Sequence, residues 1–185
     1  MSERIIQKIT FANGGEFTVV VHDILKEPVD CIVNAANGML AHGGGVAAAI
    51  ARAAGRDLIE EGKRIVTEKG AVPTGGAVVT TAGALPFKGV IHAVSPHMGQ
   101  GDEENNIVQA LLSAFLCAHK KGWSSLSFPG ISSGIFAVPH KTCARAYIHA
   151  VKEFYRLYPG STLKNIRLCL FEGPLLDMVK MEIDK

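Results

Sequence analysis

Asn34 and Asn37 stand at the end of an apolar run, and Gly43, Gly44 and Gly45 follow just before an alanine-rich segment of helical composition. A connector between a strand and a helix needs one glycine or two. Bare N–H groups at a helix start attract anions, and absent side chains let a ligand come up to the main chain. The triplet therefore suits a phosphate or a sugar, or else it is only a flexible turn. It is not a Walker A loop, because no Lys-Ser/Thr pair follows, and it is not GxGxxG. An asparagine offers a donor and an acceptor but no strong base, so it can orient a hydroxyl or a water. It can equally bond a loop to itself. Asn34 is read as the structural one of the pair, and Asn37, nearer the glycines, as the ligand contact.

The second stretch is PGISSGIFAVPH, Pro129 to His140. Gly130, Ser132, Ser133 and Gly134 supply N–H groups and hydroxyls with little bulk, which suits a diphosphate held without cationic side chains. Ile135 and Phe136 then add an apolar wall. The plainer reading is an ordinary glycine-rich connection from strand to helix. Two shorter features follow strands as well. In His22-Asp23-Ile24 the carboxylate either accepts a hydrogen bond from an exocyclic amine or caps a turn. In Phe171-Glu172 the aromatic face either stacks on a base or belongs to the core.

Other reactive types point to structure. His92 lies inside an apolar strand and reads as a satisfied core histidine. His42 has no partner at zinc spacing and reads as a loop residue. His119 and His149 fall in helices. Ser95 and Ser132 sit in no GxSxG context. Cys31, Cys117, Cys143 and Cys169 form no CxxC pair, each lies in an apolar segment, and they read as buried free thiols.

The elements that must position these residues alternate. Strands are expected over residues 16–21, 30–33, 76–81, 90–94, 126–128 and 165–171. Helices are expected over 45–54, 57–68, 105–121 and 139–158, with Pro139 in a first turn, and a short helix closes the chain. Short apolar strands between helices make a mainly parallel sheet covered on both faces. In such sheets ligands bind beyond the carboxyl ends of the strands, where all four features fall.

The chain has 185 residues, enough for one domain. No apolar run is long enough to cross a bilayer, MSERIIQKIT lacks the apolar stretch of a secretory signal, and cytoplasm or nucleus is the expectation. A formal charge of +2 and the scarcity of clustered Arg and Lys argue against nucleic acid, RNA or poly(A) included.

Taken in order, VNAAN with HGGGVAAAI, PGISSGIFAVP, HDI, PTGGAVVTTAG and VIHAVSP resemble the macrodomain family, from about Glu16 to Phe171. HDI is similar to the family's Gly-Asp-Ile/Val, with His22 in the glycine place. HGGGVA with SSGIF looks like viral macrodomains. AVVTTAG and VIHAVSP look like those of vertebrate multi-macrodomain ADP-ribosyltransferases. The resemblance implies an α/β fold of three layers, α/β/α, with a mixed, mainly parallel sheet and an ADP-ribose cleft across the strand ends. It implies one macrodomain over residues 1–185, a module of a longer protein or the whole of one, acting as a monomer without cofactor or metal. Its partners would be ADP-ribose and mono-ADP-ribosylated proteins.

On the same resemblance Asp23 holds the adenine amine, Ile24 lines the base pocket and Phe171 packs on the base. Main chain at Ala36, Gly44, Gly45, Val46 and Gly130, with Ser132, Ser133, Gly134 and Ile135, cradles the diphosphate. Asn37 and Phe136 meet the distal ribose. Asn37, Gly45 and Phe136 would carry hydrolysis of the ester between mono-ADP-ribose and an acidic side chain. The alternative is a module that reads ADP-ribose without turnover. Some hydrolytic members carry Asp where this chain has Ala47, which removes one route to a general base.

Overall fold

A computed structural model describes residues 2–185. The chain runs β1 (Arg4–Thr10), β2 (Glu16–Val21), a 3-10 turn (Ile24–Lys26), β3 (Cys31–Ala36), α1 (Gly45–Ala54), α2 (Arg56–Lys69), β4 (Ala77–Thr80) and β5 (Gly89–Val94). It continues with α3 (Glu103–Lys120), β6 (Ser125–Phe128), α4 (His140–Leu157), β7 (Asn165–Leu170) and α5 (Pro174–Ile183). The strands form one sheet in the order β1-β2-β7-β6-β3-β5-β4. The β1–β2 and β4–β5 pairs are antiparallel and the rest parallel, so the sheet is mixed with a parallel centre.

Period-two alternation sends each strand's side chains to opposite faces. Phe17, Val19, Val33, Ile91, Phe128 and Leu168 pack with α3, α4 and α5 around Phe115, Tyr147 and Phe154. Val20, Ile32, Val90 and Cys169 pack with Ile50, Ala54 and Leu58 of α1 and α2. Helices on both faces give three layers, α/β/α.

Three elements differ from the sequence expectation. β3 runs on to Ala36, so Asn34 is a sheet residue paired in register with His92 rather than part of the loop. β1 was not expected at all. Its burial follows no two-fold pattern because it is an edge strand, held by its antiparallel pairing to β2. Pro139 caps α4 from outside instead of opening its first turn.

The topology brings four loops together. β2, β7, β6 and β3 are parallel neighbours, so the segments beginning at His22, Phe171, Pro129 and Asn37 all leave the same edge of the sheet. Among the described residues no helix is long and apolar enough to cross a membrane.

Candidate functional site

A cleft crosses these four strand ends. Its larger part, about 510 Å³, is walled by His22 to Leu25, Phe171 to Leu175, and the first turn of α4 at His140. Its smaller part, about 390 Å³, lies over Ala35, Asn37, Ala41 and Gly43, with Ser132, Ile135 and Phe136 opposite. Gly45, Val46, Gly130 and Gly134 line both parts, so the two are one crevice that passes between the glycine loops.

The middle is a wall of main-chain donors. Gly45, Val46 and Ala47 form the first turn of α1, and no acceptor among the described residues meets their N–H groups. The N–H groups of Gly134, Ile135 and Phe136 across the crevice are likewise unpaired. Two rows of unpaired N–H groups, one at a helix start, make an anion site without cationic side chains. Gly45 takes a left-handed φ of 57° to turn the chain into the helix. The Ile135 side chain is 76% exposed, and its Cδ1 comes within 3.1 Å of where a Cβ on Gly44 would sit. The bare glycine is what lets that apolar arm lie over the crevice.

The serines act through the loop. Ser132 holds a left-handed φ of 63° and donates its hydroxyl to the Pro96 carbonyl at 2.6 Å. Ser133 donates to the Gly130 carbonyl at 2.6 Å. Both hydroxyls are spent on shaping the loop, which leaves main-chain N–H groups to face the crevice. The same loop is fastened from outside by the Met98 N–H, which donates to the Phe136 carbonyl, and by the His97 ring edge-on to Phe136.

At the smaller end Asn34 is structural, as expected, but the bonds that hold the loop fall to Asn37. Asn37 is the one that bonds the loop to itself. Its Oδ1 accepts from the Met39 and Ala41 N–H groups and its Nδ2 donates to the Ala41 carbonyl, all at 3.1 Å. It also lines the cavity. Asn34 is fully buried and donates through Nδ2 to His92 Nδ1 at 3.1 Å. Ala36 lines neither part of the cleft; its side chain packs with Leu40, Val72 and Val94. Ala47 does line the smaller part, where no acidic or basic side chain is present.

His92 is a core residue, as its apolar strand predicts. Nδ1 accepts from Asn34, so the proton is on Nε2, which donates to Thr80 Oγ1 at 2.8 Å; that hydroxyl donates on to the Thr81 carbonyl. Burial, reinforced by the neighbouring His42, pushes the ring's pKa down to about 3. The unfolded chain takes up a proton below pH 6.5, the ordinary value, which the folded chain refuses until about pH 3. Stability attached to this ring is complete above that upper value. It falls by about 1.4 kcal/mol per pH unit as pH drops through the window. Urea unfolding at successive pH values should show His92→Gln losing that share of the slope; an unchanged slope would mean the ring is not the source.

At the larger end Asp23 caps a turn, one of the two roles expected of it as alternatives. One carboxylate oxygen accepts from the Leu25 N–H at 3.0 Å and caps the 3-10 turn, while the residue lines the cavity. Ile24 lines it too, and Phe171, 69% exposed, is a rim residue and not core. Behind this wall is a buried ionic group that sequence reading missed. His22 Nδ1 meets Glu27 Oε1 at 2.7 Å, Glu27 Oε2 accepts from Arg167 Nε at 2.6 Å, and Arg167 reaches Glu3. Burial works to raise the Glu27 pKa, but the hydrogen bonds from Arg167 and His22 outweigh it and hold the carboxyl below its usual range. An arginine in the middle of the apolar strand NIRLCLF was the available signal, since buried arginines are paired. Among the described residues no three His, Cys, Asp or Glu side chains converge to hold a metal ion.

The comparisons with known proteins come down on one family. Residues 33–147 match the Macro domain family model, which spans β3 through the middle of α4. The chain belongs to the Macro domain family. A Macro domain-containing protein of Listeria monocytogenes is 38% identical over 85% of this chain and 90% of its own length. An O-acetyl-ADP-ribose deacetylase of Escherichia fergusonii is 41% identical over 74% of this chain and 78% of its own. A Thermotoga maritima protein is 46% identical over 84% of this chain, which spans only 26% of that longer protein. Among solved structures, an Oceanobacillus iheyensis macrodomain with ADP superposes with a TM-score of 0.89 at 28% identity, covering 100% of this chain and 97% of its own. This macrodomain therefore has the family's three-layer architecture, and the match spans all four loops of the cleft.

Proposed function

We propose that this macrodomain binds ADP-ribose along the crevice and hydrolyses an acyl ester on its distal ribose. The observation that carries the reading is the order of surfaces in one continuous cleft. An acceptor beside an exposed aromatic lines the larger end, two loops with unpaired N–H groups border the middle, and an amide beside Phe136 lines the smaller end. Adenine, diphosphate and ribose present their complements in that sequence. The relatives named O-acetyl-ADP-ribose deacetylase support ester hydrolysis as the reaction.

An ester needs little apparatus. A water held against the ester carbonyl by the loop and by the ligand's own phosphate gains from positioning. Main-chain N–H groups of the glycine loops are suited to stabilising the oxyanion that follows. The acyl group is an acetyl or the side chain of a protein glutamate or aspartate; the bond broken is the same. A second reading, a module that binds without turnover, is favoured by one observation: no acid or base side chain lines the smaller end, where Ala47 stands.

Two substrates decide between them. The protein is incubated with O-acetyl-ADP-ribose and with a protein mono-ADP-ribosylated on glutamate, following acetate release and label loss. Turnover at least about 100-fold above the uncatalysed rate is expected with one or both, a loss of barrier of about 2.7 kcal/mol. Tight ADP-ribose binding with no turnover of either makes it a reader.

A further inference from the structure

We propose that His22 is a second base-recognition group, accepting a hydrogen bond from the exocyclic amine of adenine beside Asp23. The inference rests on the larger cavity being the base end of an ADP-ribose site.

Five polar oxygen- or nitrogen-bearing side chains line that cavity: His22, Asp23, Ser133, His140 and Glu172, with the Ser133 hydroxyl already given to Gly130. Glu172 is exposed and pairs with Arg4. His22 is the one whose orientation is set from behind. Its Nδ1 lies 2.7 Å from Glu27, a carboxylate that can only accept, so the ring's proton is on Nδ1. In its neutral form the ring presents a lone pair at Nε2. That nitrogen has no partner among the described residues and is not fully sealed, and His22 lines the cavity. Rotating the ring would strip a donor from Glu27, whose side chain is fully buried and anchored by Arg167 at 2.6 Å and 3.2 Å. The ionic group thus acts as a positioning device for an acceptor at the cavity wall.

Asp23 supplies the other acceptor. One of its oxygens is taken by the Leu25 N–H, and the other stands 4.0 Å from Lys26 Nζ, too far for a hydrogen bond. The wall therefore offers one carboxylate oxygen and one imidazole lone pair. An aromatic amine carries two N–H groups and satisfies both. A carbonyl at the same ring position, as in hypoxanthine, carries none and meets two acceptors. A buried acceptor left without its donor is what makes a site reject an analogue.

Calorimetry with ADP-ribose and with its hypoxanthine counterpart, inosine diphosphate ribose, tests this. The discriminating variant is His22→Asn, whose amide reproduces the Nδ1–H donor toward Glu27 but does not reach the position of Nε2. The wild-type protein should prefer ADP-ribose by about 100-fold or more, and His22→Asn should cut that preference by about tenfold with a melting temperature near wild type. His22→Gly, which leaves Glu27 to Arg167, should cut it likewise and decides the matter if the asparagine variant does not fold. A preference unchanged in these variants, or a wild-type protein that binds the two nucleotides alike, overturns the role of His22 and leaves the cleft reading standing. A wild-type protein that binds neither nucleotide overturns the cleft reading itself.

Discussion

Gly45→Glu should lower affinity for ADP-ribose at least about 100-fold while the protein remains folded. Three effects add. Gly45 has a φ of 57°, a conformation that costs an L side chain about 1–2 kcal/mol. Its Cβ would point toward Ile135, whose Cδ1 stands 3.6 Å away, so the new side chain must share the middle of the crevice with that arm. The third effect is decisive for binding: a carboxylate at the first position of α1 occupies the N–H field offered to the diphosphate and repels what remains of it. The same field favours the carboxylate in the empty protein, so part of the backbone cost is offset and the loss of stability stays near about 1 kcal/mol. Gly45→Ala separates the contributions, because it carries the backbone cost without charge or reach and should lose only about tenfold in affinity. Calorimetry and a thermal melt on the two variants measure both quantities. Wild-type affinity in Gly45→Glu would mean the diphosphate lies elsewhere.

The cleft was legible because its chemistry is local in sequence. A strand, a run of small residues and a helix start follow one another in VNAANGMLAHGGGVAAAI and again in SFPGISSGIFAVPH, and each loop can be read without knowing its neighbour. What was not legible depends on pairs that only the sheet order brings together. Glu27 and Arg167 are 140 residues apart, and nothing in KEPVD announces a fully buried carboxylate. Asn34 lies in a different element from the one expected for a related reason, although its role is structural as expected. A strand boundary drawn at Val33 puts Asn34 in the loop, whereas pairing with β5 through Val94 carries the strand on to Ala36 and turns Asn34 toward His92. β1 is the extreme case: its seven residues are exposed or half-buried, and pairing to the β2 edge, not its own pattern, makes it a strand. Ends of elements and edge strands are where tertiary contacts override local preference.

Asn37→Ala should reduce ester turnover by about 100-fold or more, with binding of ADP, which lacks the distal ribose, changed less than about threefold. Counting the bonds of this amide shows what it has left to offer. Its carbonyl oxygen already accepts two N–H groups, and one Nδ2 hydrogen already goes to the Ala41 carbonyl. One N–H remains, so the only bond Asn37 has left for a sugar is as donor to a hydroxyl oxygen, and it has no capacity to take a proton from water. Truncation therefore does two things at once: it deletes that donor and it unfastens the loop between Asn37 and Ala41, at a cost of about 1–2 kcal/mol in stability. Asn37→Asp pulls the two apart. The aspartate keeps an acceptor for the Met39 and Ala41 N–H groups, so the loop keeps two of its three bonds, but it has no hydrogen for the sugar. If Asn37 works through the donor, Asn37→Asp loses as much turnover as Asn37→Ala while melting within about 2–3 °C of wild type. If it works only by holding the loop, Asn37→Asp retains most of the turnover. Single-turnover ester hydrolysis and a thermal melt on the same two variants read the difference. The first outcome is expected, because the loop's remaining bonds restrain it even with the amide gone: the Leu40 N–H donates to the Asn37 carbonyl and the Val72 N–H to the Gly38 carbonyl, each at 2.9 Å.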